Sequence, residues 1–186
     1  AYGKETMKIL KNQKTSSSIS GPRPIADEYF MAMAMLVATR STCIRRQVGC
    51  VLIDNNNNIL ATGYNGVVKG SPHCNEGHPC PGAKSESGKD LDECYAIHAE
   101  QNALIQCKDL TKVYACFCTT APCVMCTKLF LNTTLTRMIY VESYPQLTTS
   151  KSISMMTPLA GKLEWLQIPK ERMKNVFNRA NMATRE

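Results

Sequence analysis

The sequence predicts a single layered α/β domain. Helical and strand patterns alternate along the chain in the order α-β-β-α-β-α-β, followed by further α and β, which is typical of helices packed against a sheet. The 186 residues suffice for one domain with a substantial core, and no internal repeat divides them. Residues 1–23 are polar and contain a threonine followed by three serines, so we expect a mobile N-terminal arm before a domain over residues 24–186.

The first half of the chain predicts a helix, a hairpin and a long loop. Asp27 is the expected N-cap of a helix whose apolar positions recur at helical spacing until Arg40. Apolar runs over 48–53 and 59–64 flank one aspartate and four asparagines, which predicts a β-hairpin. Residues 65–93 are rich in Gly, Pro, Cys and His. A loop of this length is uncommon unless it has a function or is stabilised by a bound group.

The second half alternates helices and strands again. We expect helices over 96–107, 124–131, 152–159 and 170–179, and strands over 113–119, 137–141 and 163–168. Four cysteines fall inside predicted elements and are expected in the core: Cys50, Cys107, Cys116 and Cys118.

Composition narrows the partners and the compartment. The net charge of +7 is dispersed along the chain, which favours small phosphates over a long polyanion as ligand, although a solvated basic surface explains it equally simply. No apolar stretch has the length that a membrane helix needs, so no membrane partner is expected. The ten cysteines come without a secretory signal pattern, so we expect them reduced, in a cytoplasmic protein, and used in part for metal.

Two short segments carry the pattern of a zinc site. His98-Ala99-Glu100 opens one predicted helix, and Pro122-Cys123-Val124-Met125-Cys126 opens the next. One histidine and two cysteines supply three ligands for a tetrahedral Zn²⁺, which leaves the fourth position for water. The helix dipole and the metal both favour the thiolate forms of the two cysteines. These residues therefore predict a catalytic zinc held by His98, Cys123 and Cys126.

Glu100 is the expected general acid/base. Zinc lowers the pKa of a bound water towards neutrality, and a carboxylate two residues after the histidine can take that proton and pass it to the substrate. The order H-x-E…P-C-x-x-C is the signature of zinc-dependent nucleobase deaminases. Each residue alone has an ordinary explanation, as a core histidine, an exposed helix acid or a redox pair of cysteines. Together, in this order, they favour a deaminase site.

Four segments together resemble the deoxycytidylate (dCMP) deaminases, especially those of phages and bacteria, from about Asp27 to Tyr144. They are RSTCIRRQVG at 40–49, GYNG at 63–66, IHAEQNAL at 97–104 and PCVMC at 122–126. The first two look specific to the dCMP branch, whereas HAE and PCxxC occur across the superfamily. Ala121, where serine is often seen, departs from the pattern but leaves the metal ligands intact.

The resemblance implies a fold and a reaction. The implied fold is a three-layer α-β-α cytidine-deaminase-like domain with a central five-stranded mixed sheet and the zinc between two helix N-termini. The implied reaction is hydrolytic deamination of dCMP to dUMP and ammonia, which supplies dUMP for thymidylate synthesis. In a phage-encoded protein this would take place in the host cytoplasm.

Five residues are expected to contact the substrate: Asn65, Ala99, Arg45, Arg46 and Tyr144. The resemblance places Asn65 on the substrate sugar, and a site built to hydrogen-bond a hydroxyl discriminates strongly. Arg45 and Arg46 precede a strand near the expected pocket mouth and suit a phosphate, although an exposed basic loop explains either arginine as well. Tyr144 follows a strand end and could stack on the base, touch the phosphate or belong to the core.

The long loop predicts a second, structural zinc. Its candidate ligands are Cys43, Cys74, Cys80 and Cys94, with His73 and His78 as rivals. A closed site would supply folding energy that such a loop lacks. The resemblance implies zinc ligands at Cys43 and Cys74, whereas Cys80 and Cys94 are inferred from this sequence alone. The alternative is a loop with free cysteines.

Regulation is implied by the resemblance as well. It implies a homohexamer that dCTP activates and dTTP inhibits, each nucleotide with Mg²⁺. Gly63, Tyr64, Gly66 and Lys69 lie in a loop suited to a triphosphate, because glycines admit close approach of the backbone and lysine adds charge. The alternative is a solvated lysine in an unregulated enzyme.

Two rival functions share parts of this pattern. A tRNA- or single-strand-editing deaminase should show a basic face with aromatics, but aromatic residues make up only 6% of the chain, so no nucleic-acid partner is expected. A non-catalytic zinc module would need no Glu100.

Overall fold

A five-stranded mixed sheet forms the centre of the described part of the chain. The computed structural model describes residues 22–86, 89–90, 93–156 and 163–183. The strands of the sheet are β1 (Gly49–Ile53), β2 (Ile59–Tyr64), β5 (Ala115–Thr120), β6 (Arg137–Glu142) and β7 (Glu164–Gln167), in the spatial order β2-β1-β5-β6-β7. β1 runs antiparallel to β2 and β5, whereas β5, β6 and β7 are parallel. The expected five-stranded mixed sheet is confirmed.

Helices cover both faces of the sheet, as the three-layer prediction requires. α1 (Ala26–Ala38) and α5 (Lys174–Ala183) lie on one face, where Phe30 and Met31 pack against Phe117. α2 (Ala99–Gln106), α3 (Val124–Phe130) and α4 (Leu147–Met156) lie on the other. No helix in the described ranges has both the length and the apolar character needed to cross a membrane.

Two glycines let helices approach the sheet closely. A Cβ on Gly49 of β1 would stand 2.1 Å from the carbonyl oxygen of Ala34 in α1. A Cβ on Gly63 of β2 would stand 2.2 Å from the carbonyl oxygen of Ala99 in α2. Since real Cβ atoms do not approach so closely, any larger residue at Gly63 would push away the helix that carries Glu100.

The first helix differs from its prediction at its start. α1 follows Ile25 rather than Asp27, and the Glu28 carboxylate accepts a hydrogen bond from the Ile25 N–H at 3.3 Å. Asp27 is not an N-cap because its carboxylate is bound by both Nη atoms of Arg137, at 3.0 and 2.8 Å. A long-range ion pair has thus displaced the local cap that the sequence suggested.

The long loop contains more structure than the sequence indicated. β3 (Gly66–Val67) pairs antiparallel with β4 (Ala96–Ile97), so the second helix begins at Ala99 rather than at Ala96. Short 3₁₀ turns span Cys74–Glu76 and Pro81–Lys84.

Two further boundaries differ, and two expectations fall outside the described residues. α4 begins at Leu147, five residues earlier than expected, and Lys170–Met173 forms a 3₁₀ turn before α5. The expected end of the fourth helix, at 157–159, lies outside the described residues, as does most of the expected N-terminal arm.

The sheet topology brings five segments to one edge. Gly49 at the start of β1 pairs with Tyr64 at the end of β2. Because β1 is antiparallel to β5, the start of β1 also lies at the end of β5, and parallel β6 ends there too. Five segments therefore meet at this edge: two precede β1 and α2, and three follow β2, β5 and β6. They contain the predicted residues that line the pocket.

Candidate active site

Three predicted zinc ligands form a compact cluster. The Nδ1 atom of His98 lies 3.4 Å from Sγ of Cys126 and 3.6 Å from Sγ of Cys123. All three ligand atoms lie within 4.8 Å of one another. Zinc bonds of about 2.0 Å to nitrogen and about 2.3 Å to sulfur place tetrahedral ligands about 3.5 Å apart. The residues therefore fit a zinc ion with three protein ligands.

Two helix N-termini hold these ligands. His98 is the residue before α2, Cys123 is the residue before α3, and Cys126 lies in the first turn of α3. The Cys126 N–H donates to the Cys123 sulfur at 3.5 Å, so Cys123 also caps its helix. Both helix dipoles favour negative charge at this point, which suits thiolate ligands.

Hydrogen bonds within the cluster shift the pKa values of its three ligands in different directions. Hydrogen bonds from the Cys126 thiol and from His98 lower the pKa of Cys123 to about 4. The hydrogen bond to Cys123 raises the pKa of His98. The hydrogen bond to Cys123 and desolvation raise the pKa of the Cys126 thiol. Zinc displaces protons from the ligands that it binds.

Glu100 is buried beside the metal ligands. Its residue exposure is 4%, and it lines the same pocket as His98 and Cys123. Desolvation by burial raises the pKa of the Glu100 carboxyl. A carboxyl whose pKa is brought nearer to neutrality exchanges protons more effectively, as a general acid/base must.

The pocket over Glu100 is a cavity of about 230 Å³, the scale of a small-molecule site. The sequence-predicted residues that line it are Cys43, Arg45, Arg46, Asn65, Cys94, His98, Ala99, Glu100, Cys123 and Tyr144. Val48, Ala83, Ser85, Ala96, Thr120 and Ala121 complete the lining. All five predicted substrate residues are therefore at the pocket.

The two predicted phosphate arginines have different surroundings. Nη2 of Arg45 donates to the backbone carbonyls of Glu86 and, at 2.9 Å, of Lys89, so Arg45 ties the long loop to the pocket rim. Nη1 of Arg46 is buried and has no hydrogen-bond partner among the described residues. Its nearest ion-pair partner, Glu142, lies 3.8 Å away. Arg46 is therefore the arginine whose guanidinium retains a buried, unused donor at the pocket.

Asn65 is buried and strongly bonded. Its Oδ1 accepts from the Ser41 hydroxyl at 2.6 Å and from the Val48 N–H at 2.8 Å. Its Nδ2 donates to the Arg46 carbonyl at 2.8 Å. The side chain thus holds together the segment that carries both arginines.

Four loop cysteines approach one another near this pocket. Cys80 lies near enough to Cys74 and Cys94 for each to shift the pKa of the other, and Cys43 acts electrostatically on Cys74 and Cys94. They are looser than the first cluster: within the described ranges, only His98, Cys123 and Cys126 have all ligand atoms within 4.8 Å.

The rival histidines of the second site differ from each other. His73 Nδ1 is buried without a hydrogen-bond partner among the described residues, whereas His78 is exposed.

The four residues expected to bind an effector lie away from the pocket lining. Gly63 is buried, and a Cβ there would meet the backbone of α2 at Ala99 and Ala103. The Tyr64 carbonyl accepts from Asn102 Nδ2 at 2.8 Å. Gly66 is buried and Lys69 is exposed.

One cysteine prediction needs correction. Cys50, Cys116 and Cys118 are fully buried, as expected. Cys107 is only half-buried, because it lies at the C-terminal end of α2, where its thiol donates to the Asp109 carbonyl at 3.5 Å.

Three polar residues at the site were missed by the sequence analysis. Ser150 is fully buried in α4 and donates to the Pro122 carbonyl at 3.1 Å. Gln146 accepts from the Val124 N–H at 3.2 Å. Both hold the turn that carries Cys123. The third, Ser41, bonds Asn65, and nothing in the local sequence distinguishes these three from solvated side chains.

Comparison with known proteins agrees with this geometry. A family model described as "Cytidine and deoxycytidylate deaminase zinc-binding region" matches residues 24–142, a range that contains all three zinc ligands and Glu100. The deoxycytidylate deaminase of Schizosaccharomyces pombe is 43% identical over 126 residues, covering 66% of this chain and 38% of the relative. That of Mycobacterium phage D29 is 35% identical over 126 residues, covering 63% of this chain and 95% of the relative.

A solved structure is similar as well. The dCMP deaminase from the cyanophage S-TIM5, in complex with dCMP and dUMP, superposes with a TM-score of 0.59 and 26% identity, covering 79% of this chain and 99% of that one. The chain spans about two fifths of the length of the fission-yeast relative and of the Saccharomyces cerevisiae deoxycytidylate deaminase, which is 37% identical over 124 residues. On the match over residues 24–142, the chain belongs to the cytidine and deoxycytidylate deaminase family.

Proposed function

We propose that this chain is a zinc-dependent hydrolase that converts dCMP and water to dUMP and ammonia. The observation that carries the proposal is the placement of buried Glu100 beside the His98, Cys123 and Cys126 cluster in a small-molecule pocket. The family match supports it, as do relatives named deoxycytidylate deaminase and the similar cyanophage enzyme that holds dCMP and dUMP.

The proposed chemistry assigns Glu100 the proton transfers. When bound, zinc supplies Lewis acidity that lowers the pKa of a water in its open position. Glu100 takes one proton from the attacking water and passes it to the ring nitrogen of the pyrimidine. It then takes the second proton, from the hydroxyl that the attack leaves on the ring carbon, and passes it to the amino group, which departs as ammonia. Burial of Glu100 keeps bulk water from competing for these protons.

The proposed substrate contacts follow the pocket lining. Arg46, whose Nη1 has no hydrogen-bond partner among the described residues and lies 3.8 Å from Glu142, binds the phosphate, and Arg45 contributes charge from the rim. Asn65 faces the sugar, Ala99 forms part of the pocket wall, and Tyr144 covers the base or phosphate. A pocket of this small volume suits a free nucleotide, so no nucleic-acid partner is proposed.

The second zinc belongs to the proposal too. Cys43, Cys74, Cys80 and Cys94 approach one another in a loop with little regular structure, and metal would supply folding energy there. His73, whose Nδ1 is unpartnered among the described residues, remains a candidate ligand.

Regulation and assembly complete the proposal. We propose a cytoplasmic homohexamer activated by dCTP and inhibited by dTTP, each bound with Mg²⁺ near the exposed Lys69 and adjacent Gly70. The family resemblance supports this, together with the position of the loop directly after Asn65. A nucleotide bound there changes the active site only if it binds one of two conformations of that site more tightly than the other.

Ammonia release from three substrates tests the proposed function. With purified zinc-loaded protein, we expect dCMP to exceed deoxycytidine in kcat/KM by at least about tenfold, because the arginine stays unpaired without phosphate. A tRNA anticodon stem-loop should release no ammonia. Equal turnover of deoxycytidine would assign the chain to nucleoside deamination, and turnover of the RNA alone would assign it to editing.

A further inference from the structure

We propose that Ser41 is a positioning residue for substrate binding, which acts by fixing the side chain of Asn65. Through Asn65 it holds segment 41–48, which carries Arg45 and Arg46 into the pocket. This inference rests on the proposed function, because it concerns how the same pocket binds a nucleotide.

Ser41 is buried at the base of this segment. It is 4% exposed, and its Oγ lies 2.6 Å from Asn65 Oδ1 and 2.9 Å from the Asn65 carbonyl oxygen. The same Oγ accepts from the Cys43 N–H at 3.2 Å. One hydroxyl therefore joins the end of α1, the start of the segment and the residue after β2.

The backbone fixes the orientation of the Asn65 carboxamide. The Val48 N–H can only donate, so the atom it contacts at 2.8 Å must be the oxygen. The Arg46 carbonyl can only accept, so the atom it contacts at 2.8 Å must be the nitrogen. The Ser41 hydroxyl then fills the second acceptor position of Oδ1, and Nδ2 keeps one hydrogen for the pocket.

Ser41 is connected to the substrate-binding residues of the pocket, which lie in different segments from the catalytic residues. Asn65, Arg46 and Val48 line the pocket, whereas Ser41 does not, so Ser41 reaches the ligand only through them. His98 and Glu100 are held by the start of α2, a different element. Loss of the Ser41 hydroxyl should therefore loosen the binding wall while leaving the catalytic zinc ligands and the acid/base in place.

Steady-state kinetics of Ser41→Ala on dCMP tests the proposal. We expect KM to rise about tenfold, the scale of one buried hydrogen bond lost, with kcat and zinc content within twofold of wild type. Ser41→Thr, which keeps the hydroxyl, should restore most of the binding. Ser41→Cys, a weaker donor of similar size, should lie between. Thr39→Ala is the matched control, because its exposed hydroxyl bonds the Leu36 carbonyl and no other group in the described part of the chain.

A double-mutant cycle tests whether Ser41 acts through Asn65. In an Asn65→Ala background, Ser41→Ala should change KM no further. Two results would overturn this inference and leave the proposed function intact. One is that the two substitutions raise KM independently in the cycle; the other is a Ser41→Ala protein as active as the Thr39→Ala control. A fall in kcat or in zinc content with unchanged KM, across the alanine and cysteine variants, would also overturn it. Wild-type protein without dCMP turnover would overturn the proposed function as well.

Discussion

At the scale of single residues, two adjacent arginines have separate tasks. Arg45 uses its guanidinium to bind backbone carbonyls of the long loop, whereas Arg46 keeps a buried nitrogen without a hydrogen-bond partner among the described residues. A buried, unused donor at a pocket is costly unless a ligand satisfies it. We therefore expect Arg46 to bind the phosphate, whereas Arg45 contacts the long loop.

The arginine assignment predicts unequal losses. Arg46→Met should lower kcat/KM for dCMP by about 10- to 100-fold, the scale of hydrogen bonds to a charged group, and should leave deoxycytidine turnover nearly unchanged. Arg45→Met is the control and should affect dCMP less. The measurement is initial-rate kinetics on both substrates for both variants. The reverse ranking would assign the phosphate to Arg45.

At the scale of elements, α4 supports the metal-binding turn. Ser150 and Gln146 bond the backbone on either side of Cys123, so α4 fixes the direction of that ligand. Groups that orient metal ligands commonly change metal affinity by about 10- to 100-fold when removed.

Ser150→Ala should weaken zinc binding by that factor, because the Pro122 carbonyl loses its buried partner. Competition with a chromogenic chelator measures the affinity directly. Ser152→Ala, on the same helix, removes an exposed hydroxyl that bonds only the Thr148 carbonyl and should bind zinc as wild type does. Equal affinities for the two variants would exclude a role for α4 in metal binding.

The long loop gives a second test at this scale. Cys74→Ala should reduce bound zinc from two ions per chain to one and lower the unfolding temperature, because structural zinc contributes folding energy. Cys107→Ala is the control, since that thiol contacts the Asp109 carbonyl. Elemental analysis and thermal unfolding give both readouts. One zinc per chain in the wild-type protein would refute the second site.

The sequence predicted elements whose signals are local and missed features that depend on distant contacts. The hairpin was predictable because Asp54 accepts the N–H groups of Asn56 and Asn58, both at 2.8 Å, within one turn. The cap at Asp27 was wrong because Arg137, far along the chain, binds its carboxylate. The zinc ligands and Glu100 were recognisable from spacing, but Ser41 and Ser150 act through bonds to residues 24 and 28 positions away.

At the scale of the whole molecule, the mixed sheet concentrates the site at one edge. β1 is antiparallel to β5, and β6 is parallel to β5, so segments far apart in sequence meet around the cluster of His98, Cys123 and Cys126. The proposed effector loop follows β2 at this same edge. If a nucleotide binds this loop, as we propose, it does so next to Asn65, which lines the pocket.

Effector control predicts three distinct dCMP saturation curves. The curve without effector should be sigmoidal, dCTP with Mg²⁺ should make it hyperbolic, and dTTP with Mg²⁺ should move it to higher substrate, because each nucleotide favours a different arrangement of the subunits. Initial rates over a range of dCMP concentrations measure this. Three superimposable curves would refute regulation and leave the catalytic assignment intact.

Glu100→Gln tests the central claim most directly, because it removes the titratable group while preserving its shape. The measurement is dCMP turnover by a variant whose zinc content and unfolding temperature are determined on the same preparation. The account predicts full catalytic-zinc content, wild-type stability and turnover reduced by about 10²- to 10⁴-fold. Turnover close to that of the wild type would contradict the role of Glu100 as the general acid/base of deamination.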